Sequence, residues 1–142
     1  MLRDYRFFHP IRVRYSEIDG QKIVFNSHYS TYLDIATTEY FREIIGDQMG
    51  ELAEKRAFDP VLKKITIEFV QPAKLDDIVQ VYCRVKKVGN SSFQLEHTIT
   101  RGGEILVEAE VVQVNYDPRT GNSQPIPQEI KQKLAIFEDL TI

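Results

Sequence analysis

The sequence predicts an α+β fold in which a five-stranded antiparallel sheet packs against one long helix, and two patterns support this prediction. Apolar residues recur every three or four positions between residues 29 and 45, which is the spacing of a buried helix face. Most of the chain after Pro60 alternates between apolar and polar residues, as half-buried strands do. Since one helix covers only one face of a sheet, a sheet curled around the helix buries the apolar stripe best.

The long helix is predicted from two rows of side chains at helical spacing. Asn26 or Ser27 is suited to cap its start, and Gly46 stands where a helix commonly stops. A short second helix is predicted within 48–56. The stripe consists of Tyr29, Tyr32, Leu33, Ala36, Thr37, Tyr40, Phe41, Ile44 and Ile45.

Strands joined mainly by tight turns are predicted on either side of that helical region. Gly89-Asn90-Ser91 and the Gly102-Gly103 pair are the clearest turn sequences. The predicted elements are a strand within 7–15, a loop over 16–22, the long helix, strands at 61–70, 78–88, 93–99 and 105–116, a turn-rich loop over 117–127, and a C-terminal helix over 128–137.

Length and composition limit the kind of protein this is. A chain of 142 residues fits a single domain spanning 1–142, and it needs no disulfide or metal to fold. The net charge of −3 argues against a general binder of nucleic acids or membrane surfaces. Cys83, the only cysteine, alternates with valines and is predicted to lie in the core. No apolar run is long enough for a signal peptide or a membrane span, so a cytoplasmic location is predicted.

Several kinds of functional site have no signature in this sequence. A dinucleotide fingerprint, a P-loop, a nucleophile elbow and a zinc motif are all absent. His9, His28 and His97 are far apart in sequence and share no metal-ligand spacing, so no metal site is predicted. A Ser-His-Asp triad stays open, because sequence alone does not show which side chains meet.

One candidate site lies between the first strand and the long helix. Asp19 precedes the apolar tripeptide Ile23-Val24-Phe25, and the helix follows directly. A helix start offers unpaired backbone N–H groups that favour a nearby carboxylate and can also hold an oxyanion. A carboxylate beside an oxyanion hole is the minimum equipment for acyl transfer to water. The same residues also fit a plainer interpretation, in which Asp19-Gly20 is a turn and Asn26 is a helix cap.

Two segments of the chain resemble the 4-hydroxybenzoyl-CoA thioesterase family, which includes the YbgC-type acyl-CoA thioesterases. The first runs from Arg14 to Phe41 and contains Arg-Tyr-Ser-Glu-Ile-Asp, Ile-Val-Phe-Asn-Ser-His-Tyr and the tyrosine-rich helix. The second, Phe69 to Asp77, is similar to that family's second signature. The match covers roughly residues 7–137, with strand order and turns in agreement.

The resemblance implies a hot-dog fold, in which the curled five-stranded sheet wraps around one long central helix. It implies hydrolysis of an acyl-CoA thioester to a free acid and coenzyme A, which makes coenzyme A part of the substrate and requires no cofactor. Asp19 is the implied nucleophile or general base, and the backbone N–H near Asn26 is the implied oxyanion donor. A homodimer or homotetramer with active sites at the subunit interface is also implied.

Eight further residues are candidates for binding the substrate. Those beside the catalytic segment are Val24, Phe25, His28 and Tyr29, and those expected to contact coenzyme A are Lys86, Lys87, Ser92 and Arg119. The turn at 89–91, where relatives can place basic residues, has none, so Arg101 is a further candidate for the phosphates, and backbone N–H groups are the alternative.

Two departures from the family and two alternative functions stay open. Lys22 stands where the family often has glycine, and Asn26 stands where some relatives carry histidine. The alternatives are an acyl-carrier-protein thioesterase on the same fold and a non-catalytic acyl-CoA-binding module. The carboxylate of Asp19 favours an enzyme, because a pure binder gains little from an anion beside a polar thioester.

Overall fold

The helices and main strands occur in the predicted order in the computed structural model, which describes residues 2–141. Two short 3-10 turns, Leu2–Asp4 and Tyr15–Glu17, precede the long helix. The strands and α-helices are β1 (Phe8–Arg12), α1 (Asn26–Ile45), α2 (Gln48–Glu54), β2 (Pro60–Phe69), β3 (Ile78–Val88), β4 (Ser92–Arg101), β5 (Glu104–Asp117), β6 (Asn122–Ser123) and α3 (Gln128–Glu138).

The strands form one antiparallel sheet in the order β1-β3-β4-β5-β2, and β6 pairs with β5. Phe8 lies opposite Tyr82 in the β1–β3 pair, and Tyr116 lies opposite Ser123 in the β5–β6 pair. The five main strands were predicted from their alternation. Strand β6 is a correction to the predicted loop over 117–127, because a strand of two residues is too short to show an alternating pattern.

Helix α1 has 20 residues, and its buried side chains are the predicted stripe, except that Ile44 is only half-buried. It ends before Gly46, whose φ of +69° is the left-handed conformation that favours glycine. The predicted cap is off by one residue. Asn26 is the first helical residue, so Phe25, rather than Asn26 or Ser27, precedes the helix.

Contacts group the described residues into two compact units. The first contains the chain up to Tyr40 together with Ile67–Arg84 and His97–Ala109. Its aromatic core includes Tyr29, whose ring lies 5.5 Å from that of Phe69 and 6.0 Å from that of Tyr32. Cys83 is fully buried in this unit, as predicted.

The second unit contains Phe41–Thr66, Val85–Glu96 and the chain from Glu110 onward. The rings of Phe41, Phe58 and Phe93 pack together in this unit at 5.2–6.1 Å between centroids. Buried Asn115 holds three backbone segments together. Its side chain accepts a hydrogen bond from Asp59 N–H and donates to the carbonyls of Ala57 and Pro125. The predicted single domain over 1–142 stays a prediction.

Candidate active site

The segment between β1 and α1, residues 17–25, folds into a closed loop that we call the Asp19 hairpin. Ile18 and Val24 pair across it as an antiparallel bridge. Its backbone hydrogen bonds run from Asp19 N–H to Ile23 C=O (2.9 Å), from Lys22 N–H to Asp19 C=O (2.9 Å) and from Phe25 N–H to Glu17 C=O (2.9 Å). These bonds fix the backbone on both sides of the Asp19 side chain.

The Asp19 carboxylate is half-buried at the tip of this hairpin. Its Oδ1 accepts a hydrogen bond of 2.7 Å from Gln21 N–H, which is the Asp-turn geometry of the plainer interpretation. Within residues 2–141 no group donates a hydrogen bond to Oδ2. The turn therefore uses one carboxylate oxygen and leaves the other available to a substrate or a water molecule.

The first turn of α1 follows the hairpin directly. His28 N–H donates to Phe25 C=O at 2.9 Å, whereas the N–H groups of Asn26 and Ser27 have no partner that a helix can supply. The first turn contains no acidic side chain to occupy the positive end of the helix dipole. The two N–H groups are thus donors suited to an oxyanion, and Asn26 is exposed.

The loop after β2 fastens the hairpin through the backbone of Ala73, which is fully buried. Val24 N–H donates to Ala73 C=O at 2.9 Å, and Ala73 N–H donates to the hydroxyl of Tyr29 at 3.0 Å. Ile23 and Lys74 form an antiparallel bridge beside these bonds. The two segments that carried the family resemblance therefore meet at Ala73. Sequence reasoning missed this residue because it acts through its backbone.

An ionic cluster also contacts this loop. Arg101 forms ion pairs of 2.6 Å with Asp77 and with Glu104. The other contact of the Asp77 carboxylate is the backbone N–H of Lys74, which donates to it at 2.8 Å. The sequence suggested Arg101 as a loop residue for phosphates. It is instead the last residue of β4, and its guanidinium is occupied by two carboxylates.

Four predicted substrate-binding residues belong to the hairpin or to the start of α1. Val24 and Tyr29 are buried, whereas 52% of Phe25 is exposed. The ring of half-buried His28 lies 6.4 Å from that of Phe25. Burial raises the pKa of Tyr29, and the charge of Asp19 acts in the same direction, so its phenol stays protonated at neutral pH.

Glu17 is a second carboxylate of the hairpin, and sequence reasoning did not single it out. It is only 3% exposed, and it accepts hydrogen bonds from Arg14 N–H (2.8 Å), the Arg14 guanidinium (2.9 and 3.1 Å) and the Tyr32 hydroxyl (2.7 Å). Burial alone raises the pKa of Glu17, but these hydrogen bonds outweigh it and hold the pKa below its usual value. The available signal was the Arg14–Glu17 spacing, which forms a capping box around a 3-10 turn.

The remaining four predicted substrate-binding residues belong to the second unit. Lys86 forms an ion pair with Glu96 at 3.3 Å, and Arg119 forms one with Asp117 at 3.2 Å. Lys87 is exposed on β3, and Ser92 accepts a hydrogen bond from Gly89 N–H at its backbone carbonyl. Their contact with coenzyme A stays a prediction.

Two other kinds of feature are absent from residues 2–141. No group of three or more His, Cys, Asp and Glu side chains within residues 2–141 is arranged to hold a metal ion. Over the same range no helix combines the length and the apolar character needed to cross a membrane.

Comparison with known proteins identifies the family. The model of the thioesterase-like superfamily matches residues 13–134. The chain belongs to the thioesterase-like superfamily. Among its relatives, the acyl-CoA thioester hydrolase YbgC of Escherichia coli is 30% identical over 122 residues, which are 85% of this chain and 90% of the relative. The acyl-CoA thioesterase YbgC of Haemophilus influenzae is 31% identical over 131 residues, or 90% of this chain and 93% of the relative.

Solved structures agree with this family assignment. A thioesterase from Thermus thermophilus, solved in complex with coenzyme A and Zn, superimposes with a TM-score of 0.82 at 25% identity, and the match covers 98% of each chain. A predicted thioesterase from Bacillus stearothermophilus gives a TM-score of 0.81 at 26% identity, over 92% of this chain and 95% of that one. The predicted hot-dog fold is confirmed, and this member of the superfamily is a thioester hydrolase, as the sequence predicted.

Proposed function

We propose that this thioesterase hydrolyses acyl-CoA thioesters to a free acid and coenzyme A, with Asp19 as the catalytic carboxylate. The observation that supports this most directly is the free Oδ2 of Asp19, held on a hairpin that leads straight into the start of α1. The substrate class is supported by the YbgC relatives, which are named for acyl-CoA, and by the coenzyme A bound to the Thermus thermophilus thioesterase.

Asp19 has two possible roles in this reaction. As a nucleophile, its carboxylate oxygen attacks the thioester carbon and the C–S bond breaks, releasing coenzyme A thiolate and leaving a mixed anhydride that water then hydrolyses. As a general base, it takes a proton from the water molecule that attacks the same carbon. Rapid-quench mass spectrometry separates the two roles, because only the first adds the mass of the acyl group to the protein.

The oxyanion that forms on the carbonyl oxygen needs a hydrogen-bond donor in either case. The backbone N–H of Asn26 is the proposed donor, aided by the positive end of α1. Some relatives carry histidine where this chain has Asn26. Because the proposed donor is a backbone N–H group, it is present with either side chain. One donor of this kind contributes roughly 2.7–4 kcal/mol to transition-state stabilisation in other enzymes.

Asp19→Asn tests the assignment, because it keeps the size of the side chain and removes the charge that both roles need. We expect kcat/KM for acyl-CoA to fall by about a hundredfold or more, which corresponds to ~2.7 kcal/mol. Thiol release should be followed on a panel of acyl-CoAs and acyl-carrier-protein thioesters. A folded variant that retains more than about a tenth of the wild-type kcat/KM overturns the assignment. If the wild-type protein hydrolyses carrier-protein thioesters and no acyl-CoA, its substrate is an acyl-carrier protein and the proposed substrate class is wrong.

Affinity for the coenzyme A phosphates must come from local cations, because the chain has a net charge of −3. Lys87 is the strongest candidate of the four predicted contacts, since Lys86 and Arg119 are already in ion pairs and Ser92 carries no charge. Lys87→Ala should raise KM and leave kcat unchanged, and the effect should shrink with added salt. An unchanged KM at low salt removes Lys87 from the site.

Self-association as a homodimer or homotetramer is also proposed. Strand β2 lies at the end of the strand order, so one of its edges has no neighbouring strand among the described residues. It exposes 39% of Val61, 54% of Leu62 and 50% of Phe69, and apolar surface of this kind is typical of an interface. Sedimentation should therefore show a dimer or a larger species at micromolar concentration. A fully active monomer contradicts this proposal.

A further inference from the structure

We propose that Glu17 is a positioning residue for catalysis, which holds the Asp19 hairpin in register with the start of α1 through the hydroxyl of Tyr32. This inference rests on the proposed role of Asp19. It arises from a buried carboxylate that the proposed reaction does not use and that lies two residues before Asp19.

The Glu17 carboxylate depends on its hydrogen-bond partners to stay charged in its buried position. It is only 3% exposed, while 72% of the Arg14 side chain that pairs with it lies in solvent. Removing a carboxylate from water costs free energy, and a buried ion pair is often no more stable than apolar residues of similar volume. The hydrogen bonds with Arg14 and Tyr32 offset this cost only when these partners are held in one particular arrangement, and a role in fixing that arrangement accounts for an acid here.

Glu17 joins the two parts of the site. Its backbone carbonyl accepts Phe25 N–H at 2.9 Å and so closes the base of the hairpin. Its side chain accepts the Tyr32 hydroxyl at 2.7 Å, and Tyr32 lies on α1 with no exposed surface. One residue thus ties the hairpin that carries Asp19 to the helix that carries the oxyanion donors.

Tyr29 and Tyr32 hold the site from two directions. Tyr29 ties α1 to Ala73, which holds the far strand of the hairpin, while Tyr32 ties α1 to Glu17 at its base. The hydroxyl of Tyr32 remains a donor, because its burial and the adjacent Glu17 raise its pKa. Catalytic groups need to be held within about 0.5 Å of the productive geometry, and these contacts supply such support.

Tyr32→Phe tests the inference, because it keeps the ring and removes only the hydroxyl that reaches Glu17. The control is Thr37→Val, which removes two other buried hydrogen bonds of α1, those of the Thr37 hydroxyl with Leu33 C=O (2.8 Å) and with His97 Nε2 (2.8 Å). Both variants should be less stable to urea than the wild type. At a temperature where all are folded, Tyr32→Phe should lower kcat about tenfold with KM within about twofold, because substrate contacts remain and alignment is lost. Thr37→Val should leave kcat within about twofold of the wild type.

Glu17→Ala provides a second test, since it removes the oxygen that accepts both Arg14 N–H and the Tyr32 hydroxyl, whereas a glutamine could keep both bonds through its amide oxygen. It should lower kcat by at least as much as Tyr32→Phe. If Asp19→Asn is inactive but Tyr32→Phe loses no more kcat than Thr37→Val, the positioning role is wrong and the proposed function stands. If Asp19→Asn retains more than about a tenth of the wild-type kcat/KM, the catalytic role of Asp19 and the positioning role of Glu17 are both wrong.

Discussion

Two turns of the molecule are built around an aspartate in nearly the same way. In the Asp19 hairpin, the side chain of Asp19 accepts Gln21 N–H at 2.7 Å, and in the turn after β5 the side chain of Asp117 accepts Arg119 N–H at 3.0 Å. Both contacts are the usual Asp-turn bond to the backbone two residues later. The local motif is therefore shared, and any difference in role must come from what surrounds it.

The surroundings differ in charge. Asp117 also receives the Arg119 guanidinium at 3.2 Å, whereas no cation within residues 2–141 forms an ion pair with Asp19. The left-handed position of the second turn is held by Gly121 (φ +76°), while that of the Asp19 hairpin is held by Lys22 (φ +65°). The Asp117 turn pairs its carboxylate with a cation of its own, and both contacts are to Oδ1. The Asp19 hairpin has no such cation within residues 2–141 and places a lysine in the left-handed conformation, and strained backbone of this kind is typical of a functional site.

The largest expected effect is an opposite response of the two aspartates to the same substitution. Asp19→Asn should abolish most activity with little change in the urea midpoint, because its turn hydrogen bond can be kept by the amide oxygen. Asp117→Asn should lower the urea midpoint, because the ion pair with Arg119 is lost, and should leave kcat within about twofold. Parallel kinetics and urea unfolding of both variants check this. Equal loss of kcat in the two variants would remove the distinction between the turns.

The elements themselves follow from local patterns in the sequence. The three- and four-residue spacing from Tyr29 to Ile45 gives α1, and the alternation from Ile78 to Val88 gives β3, since both reflect burial of one face. The position of Asp19 before a helix start also followed from the sequence. Each of these features depends on neighbours within a few residues.

The partners that complete the site lie far apart in sequence, so no local pattern shows them. Glu17 is buried because Tyr32, 15 residues later, reaches it, and Ala73 meets Tyr29 across 44 residues. Of the two partners of Arg101, Glu104 is only three residues away, whereas Asp77 is 24 residues away and no local pattern shows it. Only the folded backbone brings these groups together, and the family resemblance indicated that both segments matter without showing how they touch.

The next effect concerns the support that the Asp19 hairpin receives from Tyr29. Tyr29→Phe removes the acceptor of Ala73 N–H and leaves a buried donor unsatisfied, which should cost roughly 1–3 kcal/mol of unfolding free energy. Tyr82→Phe is the control, because the half-buried Tyr82 packs its ring against Tyr5 and Phe8 but makes no hydrogen bond through its hydroxyl within residues 2–141. Urea unfolding should show the loss in the first variant only. A similar loss in both would mean that the Ala73 contact contributes nothing specific.

A smaller effect is expected from the left-handed residues of the two turns. Lys22→Gly should stabilise the protein by roughly 0.5–1 kcal/mol, because relief of a ~1–2 kcal/mol backbone cost is partly offset by the freedom of glycine in the unfolded chain. Gly121→Ala should destabilise the protein by about 1 kcal/mol, because alanine disfavours the left-handed φ at this position. Steric contact is not the cause, since the atom nearest to the added Cβ, Tyr116 Oη, would lie 3.9 Å away. Urea midpoints measure both. Destabilisation by Lys22→Gly would show that the lysine side chain makes a stabilising contact.

The smallest expected effect is a pH dependence of stability. It separates the contribution of the Asp117 charge from that of its shape. The backbone N–H of Arg119, followed by its guanidinium, lowers the pKa of Asp117 below the usual value, which is about 3.9 in an unfolded chain. The folded protein therefore binds this proton less readily than the unfolded chain does, so the stabilisation is complete above about pH 5 and is lost as pH falls through the folded pKa. The difference in urea midpoint between wild type and Asp117→Asn should accordingly shrink between pH 6 and pH 3. A difference that stays constant over this range would assign the effect of the substitution to hydrogen-bond geometry rather than to charge.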